Sequence, residues 1–274
     1  MSTSQTPLPP LVEPARELTR EEVARYSRHL IIPDLGADGQ KRLKNARVLV
    51  IGAGGLGAPS LLYLAAAGVG RITLVDDDSV DLTNLQRQIA HAQDRIGMAK
   101  VESARRSMLA LNPSVQVECI ARRADDALLD ELVARADVAL DCSDNFATRH
   151  ALNRACVAHR VPLVSGAAIR GDGQVAVFDS RAHGDGERGP CYACLYPPQA
   201  AVEEVRCAVM GVFAPLVGMV GSMQAAEALK LLAGAGRSLA GRLLLIDAFD
   251  MDLRTLTLQR DPRCPVCAGV GDAA

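Results

Sequence analysis

The sequence has no tryptophan, and aromatic residues make up only 3% of it. Proteins that bind single-stranded nucleic acid stack bases on aromatic rings, so this shortage argues against that class. A surplus of basic charge is also missing. Lys and Arg number 30 against 32 Asp and Glu, a net charge of −2. The totals give no electrostatic footprint for nucleic acid. The first residues lack the apolar core of a secretory signal. Without an export signal the eight cysteines are not read as a disulfide framework, and a cytoplasmic location is expected. The five histidines (His29, His91, His150, His159, His183) show no metal or catalytic spacing and are taken as surface or core residues. Residues 207–226 carry no charge and are nearly long enough to span a bilayer. Gly211, Pro215, Gly218, Gly221, Ser222 and Gln224 interrupt that stretch. It is therefore read as a core or subunit-interface helix, with no membrane contact.

What the chain does have is 49% hydrophobic residues over 274 positions, enough for a substantial core. Residues 1–17, rich in Pro, read as a disordered tail. LTREEVARYSRHL then opens with a capping box, Thr19 and Glu22, and places Arg25 and Arg28 on roughly one helical face. From ARVLVIG to VPLVSGA, continuous apolar strands alternate with helical segments. That rhythm predicts an α/β fold, a Rossmann-like doubly wound parallel sheet. After Gly166, GQVAVFD, RLLLID and LRTLTLQ read as antiparallel strands that extend the same sheet. Residues 18–270 are expected to form a single domain. A nucleotide-binding half covers about 18–166, and a second half covers about 167–270. Between the antiparallel strands, residues 180–190 have the Gly and charge content of a mobile loop.

Gly52, Gly54 and Gly57 fit G-x-G-x-x-G between a strand and a helix. Such a turn brings backbone amides and the positive end of a helix to phosphate. Asp76 ends the next strand, where a carboxylate accepts hydrogen bonds from ribose hydroxyls. The turn alone leaves NAD, FAD and ATP open. Beyond it come Asn84, Arg87 and Gln88, and Lys100 opens the next helix. A triphosphate needs cations around its outer phosphates, which Arg87, Lys100 and Arg28 would supply. Taken singly, each of these is equally a solvated surface charge. Asp144 lies in LDCSDN at the C-terminal end of a buried strand, the edge where such sheets bind ligands. A carboxylate there suits magnesium, while Asn145 or Asp144 would cap the helix that follows. Cys191 and Cys194 form one C-x-x-C pair, and Cys264 and Cys267 another. Two such pairs make a closed tetrahedral thiolate set, best suited to structural zinc.

Taken together, RYSRHL, GAGGLG, VDDDSVDLTNLQRQ, GMAKVESA, LDCSDN, VPLVSGAAIR, CYACL, VFAPLVGMVGSMQAAEALK and CPVC resemble the MoeB/ThiF/HesA group, relatives of the ubiquitin-activating enzymes. The resemblance runs in order from about Leu18 to Cys267. It implies an adenylyltransferase that uses Mg-ATP. The acceptor would be the C-terminal glycine of a small ubiquitin-fold sulfur carrier ending in Gly-Gly, and pyrophosphate would leave. By motif position it implies that Gly52, Gly54, Gly55 and Gly57 form the phosphate turn and that Asp76 holds ribose. Asn84, Arg87 and Lys100 would contact the triphosphate, and Asp144 magnesium. Arg28 would reach across from the second subunit of a homodimer. The first candidate carrier is the small subunit of molybdopterin synthase. The carriers of thiamine biosynthesis and tRNA thiolation are alternatives. The zinc reading of the four cysteines agrees with the group. Cys207 sits beside Arg206. A cation there favours thiolate, and in some relatives a cysteine at this position forms a thioester or persulfide. An inert thiol is the other reading. No sulfurtransferase segment follows CPVC here, so a separate sulfur donor is expected.

Two rivals come from other classes. An NAD-dependent oxidoreductase accounts for the glycine turn and Asp76 but not for Arg87, Lys100, Asp144 and the cysteine pairs together. A non-catalytic scaffold would not need the arginine, lysine and aspartate set. Attack of a carboxylate on a phosphate needs positive charge where pyrophosphate leaves and little acid–base chemistry, which fits the absence of a Ser–His–Asp set.

Overall fold

The computed structural model describes residues 9–15, 17–181, 188–198 and 210–268. Eight strands form one sheet in the order β3-β2-β1-β4-β5-β6-β7-β8. They are β1 (Arg47–Ile51), β2 (Arg71–Val75), β3 (Gln116–Ile120), β4 (Val138–Asp141), β5 (Leu163–Ile169), β6 (Asp172–Phe178), β7 (Arg242–Asp247) and β8 (Asp252–Thr257). The first five pair in parallel, with Val50 opposite both Leu74 of β2 and Leu140 of β4. The last three pair antiparallel. This is the doubly wound sheet with an antiparallel extension that the sequence predicts.

Strand alternation splits the core between the two faces of the sheet. Val48, Val50, Ile72, Leu74 and Leu140 face one cluster, which also holds Leu61, Met108 and Leu216. Leu49, Ile51, Val75 and Ala139 face the other, with Leu129, Leu152 and Tyr192. A parallel strand buried on both sides has no polar position to spare, which is why these strands read as unbroken apolar runs. Helices α4 (Gly57–Ala66), α5 (Lys100–Leu111) and α9 (Ala214–Ala233) cover the first face. Helices α6 (Asp126–Val133) and α7 (Phe146–His159) cover the second. Short helices α1 (Arg20–Arg25), α2 (Ser27–Leu30), α3 (Gly36–Asn45) and α8 (Tyr192–Leu195) complete the set among the described residues.

Two expectations change. The helix carrying Arg25 and Arg28 is broken at Tyr26, so the two arginines do not share a helical face. Tyr26 turns inward, 6% exposed, and its hydroxyl accepts from Asn112 Nδ2 at 2.8 Å. Arg25 donates to the Leu111 carbonyl at 2.9 Å, which leaves Arg28 exposed on its own. The Thr19–Glu22 capping box forms as read. Part of the expected disordered tail is placed against the domain. Val12 is buried, Leu11 N donates to the Leu231 carbonyl and Ala15 N to that of Lys41, each at 3.1 Å. Backbone bonds and the Leu11 and Val12 side chains hold this segment, too short an apolar signal to stand out in its Pro-rich composition. Residues 1–8, Cys207 and most of the 180–190 loop lie outside the described residues.

Helix α9 is the one described helix long and apolar enough to cross a membrane. It packs instead against α4 and β5 and buries Leu216, Val220, Ala228 and Leu232. It starts later than the apolar stretch, with Pro215 in its first turn, and continues to a Gly234 C-cap at φ 73°.

Candidate active site

Chain order creates the site. After β1 the chain builds β2 and β3 on one side, then returns to add β4 on the other. Between β1 and β4 the loops leave in opposite directions and open a crevice at the C-terminal ends of the strands. A cavity of about 740 Å³ lies there, within the range of small-molecule sites. Gly52, Gly54, Gly55, Asp76, Arg87, Lys100 and Asp144 all line it.

The glycine turn is held by close packing. Gly52 has φ +100°, and a Cβ there would lie 2.7 Å from the Cys142 carbonyl. A Cβ on Gly57 would meet the Gly52 carbonyl at 2.0 Å. Any side chain at either position would push β1, β4 and α4 apart. Gly57 itself does not line the cavity, so its part in the motif is packing. Ala53 N donates to Asp76 Oδ2 at 2.7 Å, and Asp78 N to Asp76 Oδ1 at 2.9 Å. Burial pushes the Asp76 carboxyl above its usual range, against the pull of the Ala53 amide and Lys100.

Charge is set around this turn. Lys100 is 5% exposed, and its Nζ pairs with Asp78 Oδ2 at 2.7 Å. Arg87 is steadied by donation to the Thr83 carbonyl at 3.0 Å. Gln88 is buried beside Gly54, and its Oε1 has no partner. Asp144 is exposed at the mouth, while Asn145 caps α7 by accepting from Thr148 N at 2.9 Å. The two neighbouring residues thus divide the cap and the cavity between them.

Against α7 the four cysteines meet. Their sulfurs all lie within 4.8 Å of one another. Cys194–Cys267, Cys191–Cys264 and Cys191–Cys194 are 3.5, 3.6 and 3.9 Å apart. Metal–sulfur bonds of about 2.3 Å place the corners of a tetrahedron about 3.8 Å apart, so the set fits one zinc ion. Hydrogen bonds from Cys191 and Cys194 hold the Cys267 thiol well below its ordinary range, and Cys191 is pushed up in return. Asn153 bridges the corner to α7, donating to Cys191 Sγ at 3.6 Å and accepting from Tyr192 N at 2.9 Å.

The model of the ThiF family matches residues 26–266, from just before the second short helix to within the last cysteine pair. The chain belongs to the ThiF family. Two relatives fix its neighbourhood within that family. It is 53% identical to the probable adenylyltransferase/sulfurtransferase MoeZ of Mycobacterium tuberculosis, over 97% of this chain and 67% of that protein. It is 46% identical to the molybdopterin-synthase adenylyltransferase of Escherichia coli, over 92% of this chain and 98% of that protein. Among solved structures, E. coli MccB with ATP superposes at a TM-score of 0.75 and 25% identity, covering 89% of this chain and 74% of that one.

In this ThiF-family chain, two more of the expected residues, besides Gly57, stand away from the cavity. Asn84 turns its side chain onto its own loop, where Oδ1 accepts from Asp81 N at 3.1 Å. Arg28 is exposed and does not line the cavity of its own chain. Other residues reach the cavity without a motif to announce them. Arg149 of α7 lines it, 7% exposed, with Nη2 donating to the Ser143 carbonyl at 2.7 Å and Nε 3.8 Å from Asp141 Oδ2. Asp141 is fully buried and also accepts from the hydroxyls of Ser143 and Ser165, at 2.6 and 2.8 Å. Arg122 and Arg123 follow β3 onto the rim, and Tyr192 and Tyr196 form an aromatic wall. The signal available in the sequence was position alone. Asp141 ends a strand, and Arg149 lies one turn beyond the cap residue Asn145.

Proposed function

We propose that this protein adenylates the C-terminal glycine of a small ubiquitin-fold sulfur carrier, with the small subunit of molybdopterin synthase as first candidate. The observation that carries this reading is the cavity. One crevice gathers the glycine turn, Arg87, the buried Lys100 and the mouth carboxylate Asp144. The likeness to relatives named adenylyltransferases supports it.

In this reading the amides of Gly54 and Gly55 face phosphate, and Asp76 accepts from ribose. Lys100 and Arg87 offset the charge that develops as the carrier's carboxylate attacks the α-phosphate and pyrophosphate leaves. Asp144 and phosphate oxygens would hold magnesium, a hard cation that takes carboxylate and water oxygens and neutralises phosphate charge when bound. Asn84 reaches the triphosphate only if its loop turns over. Arg28 lies off its own cavity, as a group acting on the site of a second copy would, so the working unit is a homodimer. The four cysteines hold structural zinc and leave no open coordination position. The parallel half, about 18–166, binds nucleotide, and the remainder, to about 270, receives the carrier. Sulfur arrives from a separate donor, in a reducing cytoplasm where the thiols remain available to metal. Cys207 would serve that later transfer and not the adenylation.

The test is ATP–pyrophosphate exchange with purified carriers ending in Gly-Gly. Exchange is expected with one carrier and should disappear in Asp144→Ala. A folded, zinc-loaded protein that binds Mg-ATP but exchanges with none of the molybdopterin, thiamine or tRNA-thiolation carriers would overturn the assignment.

A further inference from the structure

The Ala53 peptides are gripped from two sides. The Ala53 N–H donates to Asp76 Oδ2 at 2.7 Å, and the Ala53 carbonyl faces His91 Nε2 at 2.9 Å. His91 is 8% exposed and does not line the cavity. Its other nitrogen, Nδ1, is 3.0 Å from Ser103 Oγ. Ser103 is fully buried, with Arg95 Nη1 3.4 Å from its hydroxyl and 2.7 Å from its carbonyl. A carbonyl can only accept and a guanidinium can only donate. Nε2 therefore carries a proton and donates to the Ala53 carbonyl. Burial and the neighbouring cations favour the neutral imidazole, in which Nδ1 accepts from the Ser103 hydroxyl while Arg95 donates to Ser103.

The consequence follows from peptide geometry. The carbonyl of Ala53 and the N–H of Gly54 belong to one planar trans unit and point in opposite directions. Fixing the carbonyl on the His91 side turns the Gly54 N–H the other way, toward the cavity that Gly54 lines. That amide has no hydrogen-bond acceptor among the described residues. Glycine on the far side of the bond would otherwise let this unit rotate freely.

We infer that His91 is a positioning residue for the nucleotide, a clamp on the Ala53 carbonyl that presents the Gly54 amide to phosphate. This rests on the nucleotide reading of the cavity. The charged groups facing the imidazole are Arg95, before α5, and Lys100, in the first turn of α5; Asp76 lies across the turn, on the Ala53 amide. Burial, then the two cations, hold His91 below the ordinary histidine range, against the favourable bond to Ala53.

The experiment compares Mg-ATP affinity by calorimetry in the wild type, His91→Gln, His91→Asn and Ser103→Ala. Glutamine can place an amide N–H near Nε2, whereas asparagine reaches only to Nδ1. His91→Asn is expected to weaken Mg-ATP about 10- to 100-fold, the scale of one lost buried hydrogen bond, and His91→Gln by less than about threefold. Ser103→Ala, a small change in a buried helix, should fall between them. Carrier KM and zinc content should stay at the wild-type level. In parallel, imidazole ¹⁵N shifts at pH 8 should show a protonated Nε2 and a bare Nδ1, with or without nucleotide. Wild-type affinity in His91→Asn, or a bare Nε2, would overturn the clamp alone. A wild type that binds no Mg-ATP would overturn the nucleotide reading and the clamp with it.

Discussion

At the cavity mouth, backbone bonds tie each loop to the strand beside it, Gly52 N to the Val75 carbonyl, Cys142 N to that of Ile51 and Asp76 N to that of Ile120, and tie α5 to the loop after β2, Lys100 N to the Asp78 carbonyl. At the cysteine corner, no backbone-to-backbone hydrogen bond joins residues 188–198 to residues 260–268 among the described residues. The sulfurs carry the crossing, in pairs 73 positions apart, with the Asp261 backbone reaching the Cys194 thiol. The mouth is therefore pre-shaped by topology, and the groups that face it can be exchanged without dismantling it. The corner has only Asn153 and a small buried cluster to frame it, so on the zinc reading it depends on what its four sulfurs bind. One region should respond to mutation in its chemistry, the other in its folding.

The strongest test of that contrast is Cys264→Ser. It should release zinc, measurable by elemental analysis. It should also lower the melting temperature by 10 °C or more, since structural zinc supplies folding energy directly. Activity should fall with the folded fraction, at unchanged KM for ATP. A shift in that KM at full stability would erase the distinction. Arg149→Met comes next because it crosses the divide: Arg149 lines the cavity, yet it also neutralises the buried Asp141. Leaving that carboxylate without its cation should cost about 3 kcal/mol in denaturant unfolding. Lys100→Met should do the reverse. Exchange should drop about 10²–10³-fold, the scale of losing one charge-stabilising donor. Stability should change by less than about 1 kcal/mol, because its partner Asp78 is largely exposed.

The smallest effect is in pH. His91 titrates below the histidine range when folded, so the unfolded chain takes up the proton first. Unfolding is then favoured as pH falls through about 6.5, and the stability present above that value declines. His91→Gln should flatten this slope in urea titrations at pH 5 to 7.

Much of the contrast could be read from the chain, but unevenly. β1, β2 and β4 were legible because burial on both faces leaves mostly apolar residues, and the cysteine pairs because metal ligands need fixed local spacing. Asp141 and Arg149 were not, because their meeting depends on where α7 lies against β4. His91 looked like any core histidine. Its importance comes from facing Ala53, 38 positions away, across a fold that only strand order defines. The segment around Val12 was missed for a different reason. Its Pro-rich composition suggests disorder, while its attachment to α3 and α9 runs through backbone hydrogen bonds and two apolar side chains, Leu11 and Val12, too few to show as a pattern.

The position of the second cysteine pair also orders events in time. Cys264 and Cys267 follow every strand of the sheet, whereas Cys191 and Cys194 precede β7 and β8. During synthesis the first pair leaves the ribosome as an open half-site and must wait for the second. On the zinc reading, the corner can close only after β8 has been made, so metal would load once the sheet is complete. A chain kept from zinc would then hold a complete crevice and an unfastened end.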